Sequence, residues 1–424
     1  MLHTEGRSEM PVRTACSLGC GTCCGLLAHV KDGVLTRVEP ADFPDSGNKH
    51  ICAKGLLLPK LVYHPKRLKY PMKRMGRRGE GKWRRISWDE ALETIAERLG
   101  ETSERYGSRS LAWATDGASQ LGMAYFRFAG CCQGSAASVI GYGDAAGPCG
   151  DRVSFGTLWG EGYSTGFEKS ELVVIWGNNP AETQTLTMSR IMDARERGAK
   201  VIAIDPRFTA TASKADEYVP IRPGTDAALA LGMINFILER GLEDSSFIRD
   251  HTVGPLLVNS QNGLFVREGD VVSGGSHDRY VVWDPVSDSP RPHDTPGLVP
   301  SLTGTYRVGD VECRPAFQLL AEVARGYPPQ RVSDITGVPV DTIKRLAVEH
   351  VERKPVASYR GFGMQRTFHG DLSFRAVTAL SAITGNIDLK GWRFPVTNMR
   401  SFLRAGGAPL LHPHPQDVRR HSQR

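Results

Sequence analysis

Five of the nine cysteines lie in the first 52 residues, and four of them, Cys16, Cys20, Cys24 and Cys52, follow the spacing C-x3-C-x3-C-x27-C. Three thiolates bunched in one loop, closed by a fourth from a distant turn, are what a single [4Fe–4S] cubane requires. Thiolate is a soft donor that also suits zinc or copper(I), but zinc sites usually pair two short C-x2-C knuckles. Inert buried thiols are the bland alternative, and such bunching in a cysteine-poor chain argues against it. Cys23 stands beside Cys24 and could replace it in the set. The chemistry indicated is transfer of single electrons.

Lys54 follows Cys52 in the run Cys52-Ala53-Lys54-Gly55. Its ammonium group could stabilise a reduced, more negative cluster or bridge to an anionic group, and an ordinary surface lysine is the competing reading. A second set of residues falls at turns that end apolar runs. Leu172 to Trp176 leads into Gly177-Asn178-Asn179-Pro180, and Lys200 to Ile204 leads into Asp205-Pro206-Arg207. A third turn, Arg222-Pro223-Gly224-Thr225-Asp226, opens a helix. Glycine at a strand end lets backbone approach a phosphate, and a carboxylate there accepts hydrogen bonds from ribose hydroxyls or a guanine edge. No G-x-G-x-x-G follows the first run, which disfavours a simple NAD site. Asp226 could also be only a helix cap.

The elements that carry these residues read as follows. Leu26 to Val38 alternates around Lys31-Asp32-Gly33, a hairpin signal, so the first 70 residues form a small β-rich domain. Ser87 and Glu90 have capping-box spacing and open a helix with Ala91, Leu92, Ile95, Ala96 and Leu99 on one face. The two apolar runs, joined by a helix from about Thr185 to Arg197, make a right-handed βαβ unit of a doubly wound, Rossmann-like α/β fold over residues 71–424, its regular part at about 150–350. Residues 254–311, crowded with Gly, Pro, Ser and Asp, read as a loop-rich surface insertion.

At 424 residues with 40% hydrophobic and 23% charged, the chain is long enough for two or three lobes with large cores. The net charge of +7 is scattered, apart from the run Lys66 to Arg74 with Arg77 and Arg78. That run reads as a solvated face or an anion contact, and not as a nucleic-acid site. No apolar stretch approaches the roughly 20 residues that cross a bilayer. The first fifteen residues show no export signal, and reduced cysteines fit a cytoplasmic setting, with co-export beside a partner left open.

As a set, these motifs resemble the molybdopterin oxidoreductase family, which includes the catalytic subunits of DMSO reductase, respiratory nitrate reductase and formate dehydrogenase. The resemblance is carried by the cysteine cluster with Cys52-Ala53-Lys54-Gly55, by Ile86 to Leu92, by Val174 to Pro180, by Ile204 to Arg207, by Arg222 to Asp226 and by Gly361-Phe362-Gly363-Met364-Gln365-Arg366. It implies a molybdenum or tungsten ion held by two molybdopterin guanine dinucleotides, with the cluster relaying electrons to a partner iron–sulfur subunit. By the same resemblance, Gly177, Asn178 and Asn179 approach one dinucleotide, and Asp205, Arg207, Gly224 and Asp226 surround its guanosine. Lys54 lies between cluster and pterin, and Gly363 and Gln365 join the cofactor shell. The metal's own ligand falls in Gly141 to Cys149, where the usual serine or cysteine position is occupied by Ala146. Asp144, Cys149 after a local shift, or no side chain at all are the three readings. His369, Arg366 and Arg127 are further near-metal candidates.

The resemblance fades from Arg393, whereas relatives continue into a β-rich domain that closes over the second dinucleotide. A truncated product, or an enzyme completed by a separate chain, is expected. Two other functions remain in view: a non-catalytic electron-transfer or assembly fragment, and hydration or hydroxyl transfer on the same scaffold.

Overall fold

The computed structural model describes residues 11–16, 18, 24–42, 50–115, 135–138, 146–155 and 167–387. Cys20, Cys23, Arg127 and Asp144 lie outside the described residues. The chain divides into one unit of Met1–Cys149, Val174–Asp226 and Tyr359–Phe374 and a second of Gly150–Val173, Ala227–Ser358 and Arg375–Arg424.

The chain begins with an antiparallel sheet of β1 (Pro11–Ala15), β2 (Gly25–Lys31) and β3 (Val34–Pro40). Asp32 and Gly33 both take left-handed φ, 51° and 77°, the conformation that the tight turn between β2 and β3 needs and that Asp-Gly tolerates. Two short helices follow, α1 (Ala53–Leu56) and α2 (Leu58–Val62). The backbone N–H of Leu35 donates to Tyr63 Oη at 2.7 Å, tying this segment back to β3.

β4 (Met72–Arg74) and β5 (Trp83–Arg85) form a hairpin. Ser87 then caps α3 (Trp88–Tyr106), its hydroxyl accepting the Glu90 N–H at 3.0 Å. Beyond lie the parallel pair β6 (Ala112–Thr115) and β7 (Ser135–Ser138), and α4 (Ala146–Phe155).

The regular α/β part opens with β8 (Leu172–Trp176), buried along its whole length. After α5 (Pro180–Thr183) and α6 (Thr185–Glu196) come β9 (Lys200–Asp205), β10 (Glu217–Pro220) and α7 (Asp226–Glu239). β9 and β10 run parallel. Strands covered on both faces read as unbroken apolar runs, which is why β8 and β9 stand out in the sequence.

The stretch expected to be a loop-rich excursion is more ordered than its composition suggests. α8 (Ser245–His251) precedes β11 (Leu257–Asn259), α9 (Glu268–Val271), β12 (Val281–Asp284), β13 (Ser289–Pro292), β14 (Tyr306–Val308) and β15 (Val311–Pro315). These strands form a sheet in the order β11-β15-β14 and a β12–β13 hairpin. They share a core of Leu257, Val266, Val281, Trp283, Val308 and Cys313, with Trp283 stacked on Tyr306 at 4.4 Å. Strands of three to five residues are too short to display an alternating pattern, so the Gly and Pro between them dominated the reading.

The chain continues through α10 (Ala316–Arg325), α11 (Pro329–Thr336) and α12 (Val340–Glu352) to β16 (Val356–Arg360), α13 (Phe362–Gln365) and α14 (Gly370–Ile383). The main sheet has the strand order β10-β9-β8-β16. Asn386 accepts the Val356 N–H at 3.0 Å and donates to the His350 carbonyl at 3.1 Å. Among the described residues, no helix is long and apolar enough to cross a membrane.

Candidate functional site

Two of the cysteines are brought together by strand pairing. The β1–β2 ladder ends at Ala15 opposite Gly25, and the Cys16 N–H donates to the Cys24 carbonyl at 2.8 Å. Cys16 and Cys24 are therefore held across from each other where the β1–β2 ladder ends. Cys52 sits at the N-cap of α1. Burial pushes its thiol up, but the backbone N–H groups of Gly55 and Lys54, the Thr185 side chain and the Lys54 charge outweigh burial, and the net shift is downward. Those groups favour the thiolate, which is the form a metal binds. Among the described residues, no three or more His, Cys, Asp or Glu side chains are gathered as a metal site.

Lys54 reaches out of this segment, its Nζ donating to the Glu182 carbonyl in α5 at 3.4 Å. Together with the contact from Thr185 to Cys52, this ties the cysteine segment to the chain just after β8. Thr185 was not legible as a functional residue, because nothing in its local sequence marks it.

At the end of β8, glycines let two turns interlock. Gly177 has φ +53° and donates to the Ile204 carbonyl at 2.9 Å. Its own carbonyl accepts the Gly363 N–H at 3.0 Å, while Gly361 donates to the Trp176 carbonyl at 2.8 Å. A Cβ on Gly363 would stand 2.6 Å from the Gly177 carbonyl oxygen, and one on Gly361 would overlap Asn178. The sequence placed Gly177 and Gly363 in separate motifs, and the structure joins them. Asn179 is occupied locally: its Oδ1 accepts from the Thr211 hydroxyl at 2.8 Å and its Nδ2 donates to Glu182 at 2.6 Å. It holds the turn in shape.

Gln365 is 2% exposed, and neither its Oε1 nor its Nε2 has a hydrogen-bond partner among the described residues. Its carboxamide presses on Gly147 in the first turn of α4, where a Cβ would overlap Oε1. Ala146, next to it, is the first residue of α4, and Cys149 is an exposed free thiol on the same helix. His369 is also exposed, at φ +58°.

The carboxylates lie at the ends of β9 and the start of α7. Asp205 accepts the Arg207 N–H at 2.9 Å, and burial pushes its pKa up against the lowering effect of that bond and of the Arg207 charge. Asp226 is 5% exposed. Burial first, opposed by its own backbone N–H and reinforced by the charge of Asp205, raises its pKa to about 6. Tyr218 is raised as well, by burial and by Asp205, and its ring meets Phe208 edge-on at 5.2 Å. Gly224, at φ +75°, packs on Thr367. Two acceptors with displaced pKa values beside an exposed aromatic ring can receive a ligand rich in N–H donors.

Sequence profiles of two families match the chain: "Molybdopterin oxidoreductase" over residues 67–419 and "Molybdopterin oxidoreductase Fe4S4 domain" over residues 9–64. Dimethyl sulfoxide reductase DmsA of Escherichia coli (strain K12) is 32% identical over 407 residues, 90% of this chain and 44% of DmsA. Perchlorate reductase subunit alpha of Dechloromonas aromatica (strain RCB) is 30% identical over 424 residues, 89% of this chain and 46% of that one. Among solved structures, acetylene hydratase from Pelobacter acetylenicus matches with a TM-score of 0.62 at 26% identity, covering 89% of this chain and 44% of the hydratase. The chain thus spans about half the length of the curated relatives it matches.

Proposed function

The chain belongs to the molybdopterin oxidoreductase family, and from that premise we propose that it forms the cluster-binding and cofactor-binding part of a molybdenum or tungsten oxidoreductase. The single observation that carries the reading is the pair Asp205 and Asp226. Two carboxylates at the strand and helix ends, one held near pKa 6, are poised for a base edge that donates hydrogen bonds.

The residues present fit the family's cofactors. For the [4Fe–4S] cluster, the donor set is all thiolate: Cys16, Cys20, Cys24 and Cys52, with the Cys52 thiol already biased toward its charged form. For the molybdopterin guanine dinucleotide, the fit is a buried carboxamide, Gln365, with no partner of its own, beside turns where backbone is bare of Cβ. Gly177, Asn178 and Gly363 would approach the dinucleotide, Asn179 would fix their turn, and Asp205, Arg207, Gly224 and Asp226 would hold the guanosine. Asp144 is proposed as the metal's protein ligand, with Cys149 or no side chain as the other readings. Ala146 carries no donor atom.

When bound, the metal supplies a two-electron centre for oxygen-atom transfer or for removal of hydride and proton. The protein's own contribution is positional and electrostatic. Lys54 places a positive charge beside the Cys52 sulfur and, through Glu182, beside the turn after β8, so charge added at either place is stabilised by the same ammonium group. The thiolates and their N–H donors would tune the reduction potential of a bound cluster.

The relatives named as subunit alpha support a partner subunit, and we propose an iron–sulfur protein in that place. We place residues 1–70 as the cluster domain, residues 71–424 as the α/β region and the protein in the cytoplasm. Hydration chemistry is the second reading, on the strength of the acetylene hydratase likeness.

The test is elemental analysis of anaerobically purified protein. About four irons per chain with stoichiometric molybdenum or tungsten supports the proposal. Iron alone assigns the chain to electron transfer or assembly, and zinc in place of iron removes the electron-transfer reading.

A further inference from the structure

The sulfur of Cys52 is approached from two directions. The N–H groups of Lys54 and Gly55 belong to its own turn, whereas the hydroxyl of Thr185 reaches it from a distant part of the chain. Thr185 is the first residue of α6, a helix of 12 residues, and so stands at the end where the helix carries its partial positive charge. Cys52 and Thr185 are both half-buried, so water competes only in part for the bond between them.

The place of Thr185 is fixed by contacts that do not involve Cys52. Gln184, the N-cap residue of α6, accepts a hydrogen bond at its Oε1 from the hydroxyl of Tyr359, which is 9% exposed on β16. In α5, the Glu182 carbonyl accepts the Lys54 ammonium at 3.4 Å, and the Thr183 hydroxyl donates to the Asn179 carbonyl at 3.0 Å. Leu186, Thr187 and Met188, the next residues of α6, are buried. The α5–α6 turn is thus tied to β16 on one side and to α1 on the other, and it presents the Thr185 hydroxyl to Cys52 from a fixed backbone.

We propose that Thr185 is a positioning residue for the iron–sulfur cluster: its hydroxyl donates to Cys52 Sγ, holds that side chain in place and raises the potential at which the cluster accepts an electron. The proposal rests on the reading above that Cys52 is a cluster ligand. Reduction adds one electron and breaks no bond to Cys52. The added negative charge spreads over the thiolate sulfurs, and an O–H dipole aimed at one of them stabilises it there. Lys54 acts on the same charge from an exposed side chain and is screened by solvent, whereas Thr185 acts by direct contact, so the two effects are separable. The competing reading is that Thr185 merely opens α6. That role needs its shape and not its O–H, because side-chain capping falls to the N-cap position, which Gln184 occupies.

The test uses the full chain purified without oxygen, as the parent, as Thr185→Val, which keeps the shape and loses the hydroxyl, and as Thr185→Ser, which keeps the hydroxyl. Iron is counted, the midpoint potential is read by titration with dithionite followed by electron paramagnetic resonance, and resonance Raman reads the iron–sulfur stretching bands. Equal iron is expected in all three. The equilibrium constant for reduction should fall at least threefold in Thr185→Val, equivalent to a midpoint lower by about 28 mV for one electron. The Raman bands should shift in the same variant, and Thr185→Ser should restore the parent potential. A parent chain without the signal of a reduced cluster overturns the cluster reading and the proposal together. A cluster in every form, with the parent potential in Thr185→Val, overturns the proposal and leaves the cluster reading standing. Equal shifts in both variants, or loss of iron from Thr185→Val, assign Thr185 to packing or to cluster retention and overturn its effect on potential.

Discussion

Replacing Asp226 with Asn should stabilise the chain at neutral pH and weaken its hold on a guanine dinucleotide. Asp226 is nearly buried, and burial with the charge of Asp205 raises its pKa from 3.8 to about 6. Between those values the folded chain keeps a proton that the unfolded chain has released. The group's contribution to stability is therefore fully present below about pH 4 and is lost as pH rises through about 6. A gap of that size corresponds to about 3 kcal/mol. Asparagine has the same shape and no charge, so the difference in unfolding free energy between variant and parent should be near zero at pH 4 and approach about 3 kcal/mol at pH 8. Urea unfolding of both chains, free of cofactor, at four pH values between 4 and 8 measures it. A difference that stays flat with pH, or a variant less stable at pH 8, refutes the assignment of the raised pKa to burial beside Asp205. The same substitution removes a charged acceptor, so cofactor retention should fall as stability rises, the usual exchange at a site strained for binding.

Other substitutions test separate parts of the structure. Gly177→Ala should cost about 1–3 kcal/mol, because φ +53° disfavours a Cβ and the added atom would sit 3.0 Å from the Met364 nitrogen; thermal unfolding compares it with Gly100→Ala in α3, where a Cβ meets nothing within 4 Å. His350 is fully buried, and burial first, then the Lys354 charge, lowers its pKa to about 3. The stability it contributes is present above about pH 6.5 and is lost as pH falls toward 3, so His350→Leu should flatten the acid limb of a stability profile; an unchanged limb would show that another group sets it. Cys52→Ser should lower the iron content of anaerobically purified protein, whereas Cys313→Ser, changing a thiol in the core of the β11–β15 region, should leave iron unaltered.

What could be read from the sequence follows a physical division. β8 and β9 were legible because strands covered on both faces must be apolar throughout, whatever covers them. The Asp32-Gly33 turn and the Ser87 cap were legible because their chemistry is settled within four residues. The joining of Gly177 to Gly361 and Gly363 was not, since nearly two hundred residues separate the two turns and each glycine alone has many explanations. Asp226 shows the same limit. As a residue it is a plain helix-start carboxylate, and it is burial in the fold, reinforced by Asp205 21 positions earlier, that makes it hold its proton. The 254–311 segment hid its strands because each is too short for periodicity to emerge.

The helix α3 marks where this division leads. Its apolar face of Ala91, Leu92, Ile95, Ala96 and Leu99 was visible as an amphipathic pattern, and such a pattern states that a face is to be covered without stating by what. In the described residues the hairpin takes the Glu90 side by ion pairing, and the apolar side has no neighbour that buries it. An exposed ion pair contributes at most about 1 kcal/mol, whereas burying one Leu or Ile side chain contributes about 1.5–3 kcal/mol. Among the described residues, the stronger of the two interactions available to α3 is therefore the one not made. Because an exposed pair is worth so little, Glu90→Gln should lower the amide protection of residues 88–106 by less than Leu92→Ala does if that side chain is buried by any part of the chain, and amide hydrogen exchange of the two variants measures the difference.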